Sequence, residues 1–327
     1  MKKTALVLLL TALIAVNAFA GGATEAPTDG SIKIGVSKFI SHPALDAVEQ
    51  GMQDYLATTD LKVVYDFQNA NGDISTSASI AQKFKTDKSD IVLGIATPTA
   101  QALSNVFTDI PVLFAAVTDP VDAGLVAENV CGVSDANPVE AQIALLVEVT
   151  GAKAIGNIYA SGEANGVVLM EQAKAACEKL GVEFVAAAIS NSSEVKQAAQ
   201  SIIDRVDAIY IATDNAVISA LPAVDAVCAA NNKVLFSADP SGVDGLECMI
   251  AWGFKYYSIG IQTGKIIEKI HKGEASPADI GTVILEDPAD FELWFNLDTA
   301  AKLGYSIPEK YLDVAAVLIE NGTKKTK

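Results

Sequence analysis

Apolar positions along this 327-residue chain fall into two alternating patterns. One is a short β-branched run: IKIGVS (32–37), KVVYDF (62–67), IVLGIA (91–96), VLFAAV (112–117), AIGNIYA (154–160), EFVAAAI (183–189), AIYIAT (208–213), VLFSA (234–238), CMIAWGF (248–254), TVILE (282–286) and FELWFNL (291–297). The other is an amphipathic stretch with apolar positions three and four apart, as in LDAVEQGMQDYL, ISTSASIAQKFK, VVLMEQAKAACEKLG, SEVKQAAQSIIDR and SIGIQTGKIIEKIHKG. Continuous apolar runs predict strands buried on both faces, and the stretches between them predict the covering helices. Right-handed crossovers wind such units into doubly wound parallel sheets. Four or five βα units precede residue 135 and another four follow residue 150, so the pattern predicts an α/β protein of two Rossmann-like lobes.

The two halves also share a phrase. IATPTAQAL (95–103) returns as IATDNAVISAL (211–221), and each copy is followed by an apolar run ending in Asp-Pro, at 119–120 and 239–240. The phrase marks matching strand-to-helix turns. Ligands of open α/β sheets bind beyond the carboxyl ends of the strands. Two lobes facing each other with those ends would form a cleft lined by both copies.

The first 20 residues change the picture of where this happens. Lys2 and Lys3, an apolar stretch and Ala18-Phe19-Ala20 have the layout of a cleavable export signal, and residues 21–30 read as a small, polar, flexible leader. No cysteine stands near the cleavage point to carry a lipid. A soluble, periplasmic protein is expected. Its charge excludes one class of partner: without Lys2 and Lys3, 21 basic residues face 40 acidic ones, a net −19 that repels nucleic acid. Cys131, Cys177, Cys228 and Cys248 lack metal-site spacing, and only His42 and His271 could join them. Cys228 and Cys248 are the closest pair for a disulfide; buried free thiols fit equally well.

Candidate chemistry concentrates at the strand ends. Thr97 suits an N-cap and Pro98 the first helical position, leaving the amides from Thr99 and Ala100 onward to cradle a carboxylate or merely to open a helix. In the second copy Asp214 and Asn215 replace Pro-Thr. Asp214 either caps its helix or holds an ammonium group across the cleft. An α-amino acid carries the matching pair of charges. Thr118 and Asp119 end one strand and Asp239 another, as turn formers or cleft residues; Ser37, Phe39 and His42 share the first rim. Glu163 and Asn165, within SGEAN, open a helix in the second lobe and fit a cap or a ligand contact. No G-x-S-x-G, H-E-x-x-H or phosphate loop is present, and the glycines of GIQTGK (260–265) fit helix packing. Nothing assembles a nucleophile, a base and an orienter, so no enzyme is expected.

The phrases HPALDA (42–47), IATPTAQAL, PVLFAAVTDPVDAGLV (111–126), SGEAN, IYIATDN (209–215), GFKYYSIGIQTGKIIEKIHKGEASPADI (253–280) and NLDTAAKLGYSIP (296–308), in this order, resemble the TrpX-like solute-binding proteins of ABC transporters. The resemblance implies a type I periplasmic-binding fold with a three-crossover hinge near 135, 254 and 277. It divides the chain into a first lobe of 31–134 plus 255–273, a second of 135–254 plus 274–320, and a tail of 321–327. It further implies that the protein captures a small solute and delivers it to ABC permease subunits; a monomer without cofactor or metal is expected. An aromatic or other neutral amino acid is the expected ligand, its polar head at Ser37 and Thr97–Thr99 with Asp214 facing them; a sensor that docks on a signalling receptor, or the same fold binding a sugar or nucleoside, are the alternatives. Phe39, Phe114, Trp252 and Phe254 are the aromatic candidates for the cleft.

Overall fold

The computed structural model describes residues 30–327; the expected export signal, and the expected leader up to residue 29, lie outside them. The predicted strands assemble into two sheets. The first lobe begins β1 (Ile32–Lys38), α1 (Pro43–Ala57), β2 (Val63–Asn69), α2 (Ile74–Thr86), β3 (Ile91–Ile95), α3 (Thr97–Ser104), β4 (Val112–Val117) and β5 (Val130–Ser134). The second lobe follows with α4 (Val139–Thr150), β6 (Ala154–Ala160), α5 (Ala164–Leu180), β7 (Glu183–Ile189), α6 (Val195–Ile202), β8 (Ala208–Ile211), α7 (Asn215–Ile218), α8 (Leu221–Ala230), β9 (Val234–Ser237) and β10 (Ile250–Phe254). The chain then returns through α9 (Tyr256–His271), α10 (Pro277–Ile280) and β11 (Thr282–Ile284), and crosses again into β12 (Phe291–Asn296), α11 (Leu297–Leu303), α12 (Glu309–Val314), β13 (Val317–Glu320) and β14 (Thr323–Thr326).

Sheet order is β11-β5-β4-β3-β1-β2 in the first lobe and β14-β13-β12-β10-β9-β8-β6-β7 in the second. All pairs in the first sheet are parallel; in the second, β12 runs antiparallel to β10, and β14 to β13. The central strands β3, β4, β8 and β9 are buried along their whole length, which is why they read as apolar runs.

Three departures from the sequence reading have physical causes. The chain crosses for the last time through residues 285–290, beyond the expected 277, because Thr282–Ile284 hydrogen-bonds in parallel to Gly132–Ser134 on the first sheet. Residues 274–284 therefore sit with the first lobe. The expected tail is the edge strand β14, which hairpins back on β13 through Asn321-Gly322, both at positive φ. β5 was absent from the strand candidates because Gly132 and Ser134 dilute its apolar run; Gly132 is needed, since a Cβ there would lie 2.0 Å from the Phe114 carbonyl oxygen.

Helix α9 returns to the first lobe, where Tyr256, Ile259, Ile266 and Ile267 join the core built on β1 and β3–β5. It can do so because its glycines meet a glycine of α1. A Cβ on Gly260 would lie 2.2 Å from the Val48 carbonyl oxygen, and one on Gly51 2.3 Å from that of Tyr257. The GIQTGK glycines are thus packing residues. The crossings are also tied to each other: the Lys255 amide donates to the Asp290 carbonyl at 2.7 Å, and Gln142 bridges the Trp252 carbonyl (2.6 Å) and the Tyr210 hydroxyl (2.7 Å).

Candidate functional site

The carboxyl ends of the two sheets face each other, and the lobes touch. Ile74 of the first lobe reaches within 3.9 Å of the position a Cβ would take on Gly162 of the second; Pro43 does the same against Gly242. Between them lies an enclosed cavity of about 10 Å³, room for about one water. The first lobe lines it with His42, Leu45, Ala116 and, from the returning helix, Tyr256; the second with Asn165, Thr213, Asp214, Asn215, Ile218 and Asp239. Asp135, at the first crossing, closes the floor.

Backbone irregularity puts these groups in place. A bulge between Ala115 and Val117 holds Ala116 at φ 56° and turns it into the cavity, and neighbouring Ala96 sits at φ 82° where β3 ends. Two alanines at positive φ on adjacent strand ends store strain of the kind found at functional sites. His42 precedes α1 in an extended conformation and is buried with neither ring nitrogen in a hydrogen bond of good geometry, although the Asn215 side chain lies beside it. Burial pulls its pKa down to about 4, so the ring is neutral.

The charged lining is entirely acidic. Asp135 accepts from the Tyr256 hydroxyl (2.8 Å) and the Thr118 hydroxyl (3.2 Å), yet burial outweighs both and lifts its pKa to about 6. Burial lifts Asp239 to about 6 as well, with the Asp135 charge adding to it and the Ser241 amide opposing. One Asp239 oxygen accepts from that amide at 2.8 Å; the other, Oδ2, is buried and has no partner. Asp214 differs. Its Oδ1 accepts from the Val217 amide (3.1 Å) and its Oδ2 from the Ala160 amide (2.6 Å), so both oxygens are committed within the second lobe. Gly166 makes the room: a Cβ there would lie 2.3 Å from Asp214 Oδ2. Glu163 accepts from the Ala216 amide (3.0 Å) and the Asn215 side chain (2.5 Å), and burial followed by the Asp214 charge drives its pKa upward.

Of the residues singled out from sequence, the cavity gathers His42, Asn165, Asp214, Asn215 and Asp239. Glu163 stands behind Asn215. Thr118 reaches the site only through Asp135. Asp119 turns back to cap the amides of Val121 and Asp122, both at 3.0 Å. The cap of α3 is Ala96 and not Thr97, and Thr99 donates its hydroxyl back to the carbonyls of Ile95 and Ala96. Ala100 packs on Gly94. None of Thr97, Thr99 and Ala100 lines the closed cavity, nor does Ser37, whose buried hydroxyl has no partner. The aromatic candidates went elsewhere. Phe39, Phe114 and Phe254 fill the first core, and Trp252 faces a separate apolar pocket at the crossings. The rings that line the cavity are His42 and Tyr256. Sequence reasoning missed Asp135, Thr213 and Tyr256. Tyr256 had a signal, its place just after a strand at a crossing; Asp135, in SDANP, had only its place at the expected crossing near 135.

Residues 33–319 match the family described as ABC transporter substrate binding protein. A tyrosine-binding protein of Clostridioides difficile (strain R20291) is 36% identical over 281 residues, covering 83% of this chain and 80% of the relative. The ABC domain of Streptococcus pneumoniae in complex with L-Trp superposes with a TM-score of 0.82 at 34% identity, over 88% of this chain and all of the other. The ligand-free, open structure of a Clostridium difficile substrate binding protein with adhesive properties gives 0.62 at 35% identity, over 85% and 96%. At nearly equal identity, the lobe arrangement here is closer to that of the L-Trp complex than to the open form.

Proposed function

The chain belongs to the ABC transporter substrate binding proteins, with the type I periplasmic-binding fold, and on that premise we propose that it captures an aromatic amino acid between its lobes and hands it to an ABC permease. One observation carries the choice of an amino acid. The cavity is lined by acids without a lysine or arginine, and Asp239 Oδ2 is buried without a partner. Such a carboxylate is costly to bury unless a cation meets it. The ligand ammonium takes that place, between Asp239 of the second lobe and Asp135 at the crossing. This assigns to Asp239 the role that the sequence reading gave Asp214.

The ligand carboxylate goes to the first lobe. Pro43 has no N–H, and the Asp46 amide is the first of α1 to find its helical acceptor, the His42 carbonyl at 3.0 Å. The Ala44 and Leu45 amides therefore precede the hydrogen-bonded turn at the positive end of a 15-residue helix, with the unpartnered His42 ring beside them. Tyr256, His42, Leu45, Ala116 and Ile218 supply ring faces and apolar surface for the side chain. The tyrosine-binding relative and the L-Trp complex support an aromatic one.

The lobes part to admit the solute and close over it by rotation at the crossings. An export signal over residues 1–20 would place this outside the cytoplasm; among the described residues, no helix is long and apolar enough to cross a membrane. The test is thermal unfolding of the chain from residue 21, refolded to strip bound solute, against the amino acids, common sugars and nucleosides. At about 1 mM, a ligand of about 1 μM affinity adds roughly 4 kcal/mol of stability. Tyrosine, tryptophan or phenylalanine should raise the midpoint by several degrees. Shifts produced by sugars or nucleosides alone would overturn the amino-acid reading.

A further inference from the structure

The second sheet ends at β7, which pairs with β6 on one side and leaves its other edge open. From Phe184 to Ile189 this strand has no charge, proline or glycine, and Ala186 and Ala188 are exposed. Edge strands are normally blunted by such residues, because unpaired backbone groups are a template for another strand. The corresponding edge of the first sheet, β2, is protected in that way by Asp66 paired with Lys83. Alanine has little strand propensity, so three in succession do little to hold β7 itself. Their small size does let a second backbone approach.

Beside the edge runs a groove of about 670 Å³, with Ala186–Ile189 on one wall and α6 on the other. Gln197 and Ser201 stand one turn apart on α6, flanked by Glu194 in the 3-10 turn before it, whose carboxylate also accepts from the Ser190 amide at 2.8 Å, and by Arg205 in the 3-10 turn after it. Arg205 is the sole arginine of the chain, is exposed, and forms no ion pair with another described residue.

We propose that a second copy of this chain docks here, β7 against β7 in antiparallel register, making one continuous sheet across a two-fold axis. The groove is self-complementary under that operation. With Ser201 near the axis, the Glu194 and Gln197 end of one copy faces Arg205 of the other, twice over. Each strand supplies the backbone partners the other lacks. A net charge of −17 opposes self-association, so the dimer is weak and concentration-dependent. It replaces the monomer expected from the sequence. No residue of β7 or α6 lines the ligand cavity, so the contact leaves solute binding alone.

Sedimentation equilibrium of the chain from residue 21, between about 10 and 500 μM, tests this. A reversible dimer is expected. Arg205→Glu should weaken it about tenfold or more, and Arg205→Glu with Gln197→Lys should restore it by inverting the pair. Both variants should keep the parent's circular dichroism and thermal midpoint. Monomer mass throughout would overturn the proposal, as would a dimer untouched by Arg205→Glu and by Ala188→Lys. A monomer that binds a fluorescein-labelled acidic pentapeptide through Arg205 would also overturn it, giving the groove to a different partner.

Discussion

Asp214 and Asp239 are both buried, both beside the cavity and both raised in pKa by burial, yet their oxygens are used differently. Asp214 holds the Ala160 and Val217 amides and so joins β6 to the start of α7. Asp214→Asn would turn an NH2 group toward one of those amides. The expected cost is about 1–3 kcal/mol of folding stability, read in denaturant unfolding without ligand. Asp239→Asn removes a charge whose Oδ2 has no partner, so the ligand-free protein should keep or gain stability. Its affinity for amino acids should fall by about 2–5 kcal/mol, read by titration calorimetry. Equal losses of stability in the two variants would contradict this division. The repeated turn made Asp214 and Asn215 visible in the sequence. It could not show that Asp214 turns inward, because Ala160 and Gly166, which receive it, lie about fifty residues away in the chain.

Among the elements, the pairing of α1 with α9 decides whether the first lobe is complete. The helices pack so closely at Gly51 and Gly260 that neither position has room for a side chain. Gly260→Ala would put a methyl group 2.2 Å from the Val48 carbonyl oxygen. We expect a loss of about 1–3 kcal/mol, with the midpoint of urea unfolding falling accordingly. Tyr256 is carried by the same helix, so ligand affinity should fall too. The periodicity of the GIQTGK helix was legible, and so was the reading of its glycines as packing residues. Short elements were not. β11 is three residues long and mostly exposed, and what attaches it to the first sheet is the free edge of β5, a fact of tertiary arrangement.

At the scale of the whole molecule, the two lobes hold acids together in a buried site, which the proposed opening of the lobes would hydrate. Asp135 and Asp239 stand at about 6 here against 3.8 when hydrated, and Glu163 and Asp214 are raised as well. The closed, ligand-free form therefore binds more protons than an open form with hydrated carboxylates. The contribution of Asp135 and Asp239 to closure is fully present below about 4 and is lost as pH rises through about 6. His42 works the other way, since its pKa is pulled from 6.5 to about 4 and the closed form sheds its proton. Lys38, held by Asp46 and Glu49 near the start of α1, stays charged throughout. One histidine against several carboxyls leaves acid favouring closure. Small-angle scattering of the ligand-free protein should show a smaller radius of gyration at about pH 5 than at about pH 8. With a saturating amino acid, whose ammonium replaces the protons, the radius should be small at both. A ligand-free radius independent of pH would contradict the linkage.

The sequence by itself determined the two-lobed α/β architecture, because strand burial and helix amphipathicity are written locally at periods of two and 3.6 residues. It also marked the second-lobe strand ends that line the cavity, through Asp214, Asn215 and Asp239, although the matching first-lobe residues Thr97, Thr99 and Asp119 do not reach it. The tertiary structure alone decided which acid is left unpartnered, that β11 belongs to the first sheet, and that Asp135 and Tyr256 meet Asp239 at the floor of the cavity. Those outcomes depend on groups brought together from far apart in the chain, 121 residues for Tyr256 and Asp135 and 150 for Thr282 and Gly132. No local pattern encodes which backbone amides will already have claimed a carboxylate when the lobes come together.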